Sequence, residues 1–361
     1  MRINIAIICP ENVFGNILGR FKYILLLLII MGFNITSAQF NAADNSDNVI
    51  IVTVPIPFFK EIVEEIASPY VIVNVLYPEG VEPHEYQLTP KEVEIASKSD
   101  LIISTSHFPG EIKLEEMAKK GQIKAKLITL RDFMNYGLKL LINPYTGKEN
   151  LHAYWTNPLN SIAIARAITD ALKEVDPQHS SFYEARFNLF KLKIIKAVEL
   201  LKNYFLSISK SVKVVITIPA EQYLAEWLGM NIVMFIVKEH GVEPTPSDLE
   251  RLASLMRDGK VDIVLMSEHV KDTKIGQYVR TLALQYGVPI AYVKILCGEG
   301  IGVGELISYN MASIITALMQ SPSTSRDTSS KIYLYMILIL LTISLIEFGV
   351  IIYLKRRLQL E

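Results

Sequence analysis

Two histidines lie in loops whose surroundings suit a metal ligand. His84 follows the apolar run 71–76 and precedes a helix start, where Thr89 is the N-cap and Glu92 stands three residues later, as in a capping box. His152 lies in a second loop with similar surroundings. Open α/β sheets bind ligands beyond the carboxyl ends of their strands, and neutral imidazole binds transition metals. A single loop histidine is more often merely solvated, but the pair favours a metal site.

The elements that would position these loops alternate regularly along the chain. Strand patterns are predicted over 49–54, 71–76, 101–104 and 125–130, and helices over 57–67, 89–97 and 111–120. After an irregular stretch, 130–157, helices are predicted over 158–174 and 179–209. A second alternation follows, with strands over 213–217, 231–236, 262–266 and 290–295 and helices over 220–228, 246–258, 273–286 and 305–320.

This order predicts an α/β protein of two lobes. Each lobe is expected to hold a parallel sheet flanked by helices, because strands that alternate with helices form parallel sheets. The expected bounds are 49–175 for the N-terminal lobe, 176–210 for one long rigid connecting helix and 211–320 for the C-terminal lobe.

Both ends of the chain resemble membrane-related segments. Residues 1–38 resemble a signal segment, with an uncleaved anchor as the alternative. A polar Ser/Thr linker, 321–330, leads to the apolar run 332–354, which is long enough for a transmembrane helix. The basic residues at 355–357 predict a cytoplasmic end and an extracytoplasmic body. No cysteine closely follows the first apolar run, which argues against a bacterial lipid anchor.

Composition excludes some classes of function. The formal net charge is −1 and the basic residues are dispersed, so a nucleic-acid partner is not expected. The glycine-rich stretch 298–304 fails the spacing of a dinucleotide-binding fingerprint, and no organic cofactor is expected. An exported α/β enzyme remains an alternative, but a non-enzymatic protein is favoured.

The motifs around the two histidines resemble a known family. Residues 81–102 are similar to the first ligand loop of the zinc- and manganese-binding receptors of ABC importers, and residues 152–177 are similar to the second. Further matches follow in order at Tyr223, 243–249 and 259–268, and the resemblance spans 49–320. It implies a receptor that binds Zn or Mn in a cleft between two lobes and delivers the metal to an ABC permease.

The chain departs from the family pattern in the second lobe. The resemblance places the third ligand at the position of Ile218 and the fourth at Gly298, and neither side chain binds metal. His84 and His152 are therefore the retained ligands, and Glu299, beside the lost position, is the candidate for a third. Further candidates, each with a structural role as its alternative, are Glu221, Glu268, His269 and Cys297.

These departures leave two hypotheses open. The first is a membrane-anchored receptor that captures a divalent transition metal for an ABC permease. The second is a family member that has lost metal binding and acts as a surface interaction or structural protein. The intact loops around His84 and His152 favour the first hypothesis.

Overall fold

A computed structural model of the chain describes residues 49–77, 80–208, 211–296 and 300–320. Two four-stranded parallel sheets form its framework. The first sheet has the order β2-β1-β3-β4 and consists of β1 Ile50–Val54, β2 Val71–Val75, β3 Leu101–Ile103 and β4 Lys126–Ile128. The second has the equivalent order β6-β5-β7-β8 and consists of β5 Lys213–Ile216, β6 Asn231–Phe235, β7 Ile263–Ser267 and β8 Ile290–Val293. Each lobe thus repeats one topology.

Helices cover these sheets and connect their strands. The first lobe contains α1 Pro57–Ala67, α2 Pro90–Ser97, α3 Pro109–Lys119, α4 Leu130–Asn135 and α5 Pro158–Val175. The connecting helix is α6 Ser180–Ile208. The second lobe contains α7 Gln222–Leu228, α8 Pro246–Arg257, α9 Lys274–Tyr286 and α10 Val303–Met319. Short 3-10 turns occur at Tyr154–Thr156, Pro177–His179 and Pro219–Glu221.

The central strands are apolar because both faces of each sheet are covered. Val52 and Val54 of β1 and Ile216 of β5 are fully buried, as expected for strands packed between helix layers. β1 pairs in register with β2, from Ile50 opposite Val71 onward. Because all strands of a sheet run parallel, their carboxyl ends and the loops that follow lie at one edge.

The connecting helix α6 has 29 residues and is therefore about 43 Å long. Its buried side chains recur every three or four positions, and they are Tyr183, Phe187, Phe190, Ile194, Ala197, Leu201 and Phe205. This stripe packs against α1 in the first lobe and α10 in the second. One continuous helix therefore supports both lobes.

Hydrogen bonds also join the lobes near the cleft. The Trp155 indole N–H donates to the carbonyl of Ile295 at 2.9 Å. The Tyr223 hydroxyl donates to the carbonyl of Asn150 at 2.5 Å, and the Asn143 amide donates to the carbonyl of Lys238 at 2.7 Å. These bonds hold the irregular stretch of the first lobe against the second lobe.

The two-lobed α/β prediction is confirmed, and the predicted elements occur in the predicted order. The difference lies after β4, where the predicted strand 125–130 ends at Ile128 and a short helix, α4, follows from Leu130. Among the described residues, no helix is both long enough and apolar enough to cross a membrane. The predicted signal segment 1–38, linker 321–330 and transmembrane run 332–354 lie outside the described residues.

Candidate metal centre

A cavity of about 90 Å³ lies between the lobes, at the edge where the strands end. The chain has six histidines, and the side chains of five line this cavity: His84, His107, His152, His240 and His269. Its lining includes no lysine or arginine among the described residues. A cation therefore meets imidazole rings and no fixed positive charge.

Three of these histidines form a compact group that we call the inner cluster, His84, His107 and His152. Each offers one ring nitrogen, and the three nitrogens all lie within 4.8 Å of one another. His84 Nε2 is 2.9 Å from His107 Nε2, which in turn is 3.2 Å from His152 Nδ1. All three side chains are partly buried.

Two of the three nitrogen separations are close to those around a tetrahedral zinc ion. Zinc–nitrogen bonds of about 2.0–2.1 Å at a tetrahedral angle separate neighbouring donor atoms by about 3.3 Å. The 2.9 Å and 3.2 Å separations require shifts of only a few tenths of an ångström to reach that value. Three imidazoles leave a fourth position for another ligand or a water molecule.

Glu82 orients the ring of His84. The Glu82 carboxylate lies 2.6 Å from His84 Nδ1, so the Nδ1–H donates to it and the lone pair remains on Nε2, which faces the inner cluster. A carboxylate that holds a histidine in this way is typical of metal sites. The hydrogen bond from His84 lowers the pKa of Glu82 to about 2. Glu82 is therefore ionised at neutral pH.

The other two rings of the inner cluster are held neutral. Burial, helped by the neighbouring histidines, lowers the pKa of His107 to about 3. Burial likewise lowers the pKa of His152 to about 4. A metal ion must displace a proton from a charged imidazolium before it binds, but a neutral imidazole already has a lone pair. Both rings are therefore neutral at neutral pH, and each carries one lone pair and one N–H.

A buried glutamate fixes the loop that carries His107. Glu111, at the start of α3, is 1% exposed and accepts hydrogen bonds from the backbone N–H groups of Thr105 and Phe108 at 2.6 and 3.0 Å. It also accepts one from the Thr105 hydroxyl. Ser106, directly before His107, has a positive φ of 56°. Such strain in a residue other than glycine is often found at functional sites.

A buried amide fixes the loop that carries His152. The side-chain oxygen of Asn150 accepts the backbone N–H of His152 at 3.0 Å, while its NH₂ donates to the carbonyl of Pro219 at 2.8 Å in the second lobe. Ala153, directly after His152, has a positive φ of 53°. Ser106 and Ala153 are the two residues other than glycine with positive φ in the described ranges. Each adjoins a histidine of the inner cluster.

The wall from the second lobe is mostly apolar. Ile218, Ile295 and Leu296 line the cavity at the ends of β5 and β8. His240 and His269, from the loops after β6 and β7, supply its imidazoles. Neither belongs to the inner cluster. The second lobe thus presents mostly apolar side chains to the cavity.

The predicted candidates have different positions in the structure. Glu221 is 1% exposed and does not line the cavity, and its carboxylate accepts hydrogen bonds from Thr217 and Ser267. Glu268 accepts the hydroxyl of Tyr309 at 2.5 Å. Both fit the structural roles given above as alternatives. Glu299 and Cys297 lie outside the described residues, and Glu299 remains a prediction.

Two of the lining histidines were missed by the sequence analysis. His107 follows the predicted strand 101–104 by three residues, so the rule that selected His84 would have found it. His240 stands in the loop after β6, and its proximity to His84 arises only when the lobes meet. The ring centroids of His84 and His240 are 4.1 Å apart.

Comparisons with known proteins show which family the chain resembles. The family described as zinc-uptake complex component A, periplasmic, matches residues 52–317. The manganese ABC transporter substrate-binding lipoprotein scaA of Streptococcus gordonii is 26% identical over 314 residues, which cover 82% of this chain and 97% of that protein. The iron-binding protein YfeA of Yersinia pestis is 26% identical over 275 residues, covering 73% and 83%.

Solved structures show the same fold. A mutant of the manganese-bound periplasmic metal binding protein from Candidatus Liberibacter asiaticus superposes with a TM-score of 0.60 at 21% identity, covering 74% of this chain and 99% of that one. A zinc-bound ZnuA deletion mutant superposes with a TM-score of 0.62 at 20% identity, covering 74% and 98%.

Proposed function

Because this chain belongs to the zinc-uptake complex component A family of metal ABC transporter substrate-binding proteins, we propose that it captures a divalent transition metal ion in the cleft between its lobes. The observation that carries the proposal is the inner cluster, whose three ring nitrogens lie within 4.8 Å of one another. His84 and His152 are the ligands that the sequence supports, and His107 joins them.

Zinc is the metal that we propose for this donor set. Imidazole nitrogen suits zinc, whereas carboxylate oxygen shifts preference toward manganese. Glu299 is our candidate for the fourth ligand. It follows Leu296 by three residues in the sequence, and Leu296 lines the cavity. A carboxylate there would widen the metal range to include manganese.

We further propose that the receptor acts outside the cytoplasm and delivers its ion to an ABC permease. Its relatives include substrate-binding lipoproteins of ABC transporters. This chain has cysteines only at positions 9 and 297, so the apolar run 332–354, and not a lipid, would tether the body. Residues 1–38 would direct export.

Metal-dependent melting of the full chain tests the proposal. After chelator treatment, Zn²⁺ at roughly a hundredfold excess over Kd should stabilise the folded state by about 2.7 kcal/mol. His84→Ala and His152→Ala should each remove most of this gain. His179→Gln is the matched control, because His179 pairs with Asp176 away from the cavity. It should keep the zinc-induced gain even if its own melting temperature changes.

The second candidate function is a degenerate receptor that no longer binds metal. Ile218 supports this alternative, because an apolar side chain stands in the cavity wall where the family resemblance places a ligand. Equal melting of the parent and both alanine variants, with or without Zn²⁺ or Mn²⁺, would establish it. The receptor proposal would then be abandoned.

A further inference from the structure

A second group of metal-binding side chains lies at the mouth of the cavity. We call it the outer cluster, and it consists of Glu82, His84 and His240, whose donor atoms also lie within 4.8 Å of one another. Glu82 and His240 are exposed, whereas His84 is partly buried. The outer cluster is therefore open to solvent on the side away from the inner cluster.

His84 is shared by the two clusters and faces them with different nitrogens. Its Nε2 lies 2.9 Å from His107 Nε2 in the inner cluster. Its Nδ1 lies 2.6 Å from the Glu82 carboxylate in the outer cluster. A neutral imidazole has one lone pair and one N–H. It can therefore bind an ion on the inner side or the outer side, but not on both.

The placement of His240 suits the outer side. Its ring stacks on the ring of His84, with centroids 4.1 Å apart and planes inclined by 19°. Imidazole lone pairs lie in the ring plane, and the donor nitrogen of His240 lies within 4.8 Å of the donor atoms of Glu82 and His84. An ion held among these three donor atoms would be within reach of both rings. Glu82 lies at the same end of His84, beside Nδ1.

We propose that the outer cluster is a capture site, which receives the metal ion from solvent and passes it to the inner cluster. The inference rests on the proposed function and adds an entry route to it. One oxygen and two nitrogen donors suffice to hold an ion that keeps part of its water shell. The ion is then dehydrated in two steps as it moves inward.

The transfer conserves protons at His84. In the outer state the ion is bound by Nδ1, and Nε2–H points toward His107. In the inner state the ion is bound by Nε2, and Nδ1–H donates to Glu82. One proton leaves Nε2 and one binds Nδ1, with water at the cleft mouth as the exchange partner. No oxidant or reductant is required.

A first experiment tests whether the outer cluster binds metal by itself. In the full chain, the double variant His107→Ala/His152→Ala removes the inner cluster and leaves the outer one intact. Isothermal titration calorimetry with Zn²⁺ should detect one bound ion. Its affinity should be at least about tenfold lower than in the parent, because direct ligands contribute more to metal affinity than the partners that support them. Addition of His240→Gln should abolish that binding.

Two results would overturn the proposal in this experiment. One is a double variant that binds no zinc although the parent does. The other is residual binding that His240→Gln leaves unchanged. A parent that binds no zinc would instead refute the proposed function, so the two failures are distinguishable.

A second experiment tests whether the outer cluster is on the entry path. Stopped-flow mixing of the full chain with Zn²⁺ can be followed by the fluorescence of Trp155, which lines the cavity. A capture site accelerates both the entry and the exit of the ion, so His240→Gln should slow zinc association and zinc release alike. We expect each rate to fall by about tenfold, which is the lower end of the rate enhancement that charged clefts give. His179→Gln serves as the control away from the cleft.

Each other outcome contradicts the capture site. Faster release without slower association would make His240 a ligand of the tight site, because loss of a ligand normally appears in the release rate. Unchanged rates in both directions would make His240 a bystander. Either result would remove the two-step route while leaving the receptor function in place.

Discussion

Each lobe contains one copy of the same loop motif, and the two copies differ in length. Gly80–Pro83 follows β2, and Gly241–Pro244 follows β6, with the same four residue types in the same order. Both glycines have positive φ, 85° and 76°, as a left-handed turn requires. In the first lobe, residues 84–88 separate this motif from the N-cap of the next helix, whereas in the second lobe the N-cap follows directly.

The extra residues of the first version include His84, the metal ligand that we propose. His84 is the first of them, and the helix after each loop begins with an equivalent capping box, at Thr89 and at Thr245. The second lobe therefore has the same framework of the loop without the inserted segment 84–88. Its histidine, His240, instead precedes the glycine.

A second comparison leads to the same conclusion. Each lobe buries a glutamate that holds the loops at its strand ends, Glu111 in the first and Glu221 in the second. The loop held by Glu111 presents His107, whereas Glu221 accepts the backbone N–H of Ile218 at 3.3 Å. The supporting bonds are thus similar, and the side chains presented to the cleft differ. We infer that the first lobe supplies the imidazoles that hold the ion, whereas the second lobe mainly covers it.

The largest expected effect tests this asymmetry directly. His107→Ala should weaken zinc binding by at least about 100-fold, because even the outer partners of metal ligands contribute roughly 10- to 100-fold. His269→Ala removes an imidazole from the opposite wall that belongs to neither cluster, and it should cost less than about threefold. Competition titration with a zinc indicator measures both. Equal losses would contradict the asymmetry.

The buried glutamate of the second lobe should make stability depend on pH. Burial raises the pKa of Glu221 from 4.5 to about 7, so the folded protein holds this proton more tightly than the unfolded chain. The resulting stabilisation is complete below about pH 4.5 and is lost as the pH rises through about 7. The unfolding free energy of the parent minus that of Glu221→Gln should fall across this interval, by on the order of 1–3 kcal/mol.

Urea denaturation of the parent and Glu221→Gln, without metal, measures this difference at each pH. The difference isolates Glu221 from the histidines of the cleft, whose lowered pKa values act in the opposite direction. A difference that rises with pH would show that the hydrogen-bond donors around Glu221 keep its carboxylate ionised.

A ligand restored to the second lobe should strengthen binding. Ile218→His places an imidazole in the cavity wall, in the loop held by Glu221, and we expect zinc affinity to rise about tenfold, or about 1.4 kcal/mol. Ile218→Asn is the control for polarity, and it should not tighten zinc binding. Weaker zinc binding by Ile218→His would show that the second lobe serves only to exclude water.

The smallest expected effect concerns the backbone strain in the first lobe. Ala153→Gly relieves a left-handed conformation that costs alanine about 1–2 kcal/mol. Glycine also raises the entropy of the unfolded chain, which lowers the stability by about 0.4–1 kcal/mol. We expect a net stabilisation of about 0.5–1 kcal/mol in chemical denaturation. Ala163→Gly within α5 should instead destabilise the protein by about 1 kcal/mol. If Ala153→Gly lowered the stability, the claim that the backbone of Ala153 is strained would be wrong.

The fold was predictable because the elements carry strong periodic patterns. Helix α1 was predicted with its observed bounds, since Pro57 begins it and its apolar residues recur at helical spacing. Helix α4 was missed because six residues are too few to show a period and the apolar run 125–130 continues into its first residue. Local sequence therefore determined most elements, but not this short one.

The site was only half predictable, for physical reasons. His84 and His152 lie in loops whose sequence motifs can be recognised. His240, in contrast, is brought next to His84 by a contact between the lobes, which no local sequence pattern encodes. The role of Glu221 depends on burial and on hydrogen bonds from Thr217, directly after β5, and from Ser267 in β7. Sequence spacing can propose a carboxylate, but it does not tell which way that carboxylate faces.

X-ray absorption at the zinc edge tests the central claim, an ion held mainly by the imidazoles of the first lobe. The zinc-loaded full chain should show nitrogen or oxygen neighbours at about 2.0–2.1 Å, with the outer scattering of three imidazoles. His107→Ala should lose one of these imidazoles, whereas His269→Ala should keep all three. A spectrum without imidazole scattering, or one identical for the parent and His107→Ala, would contradict the account.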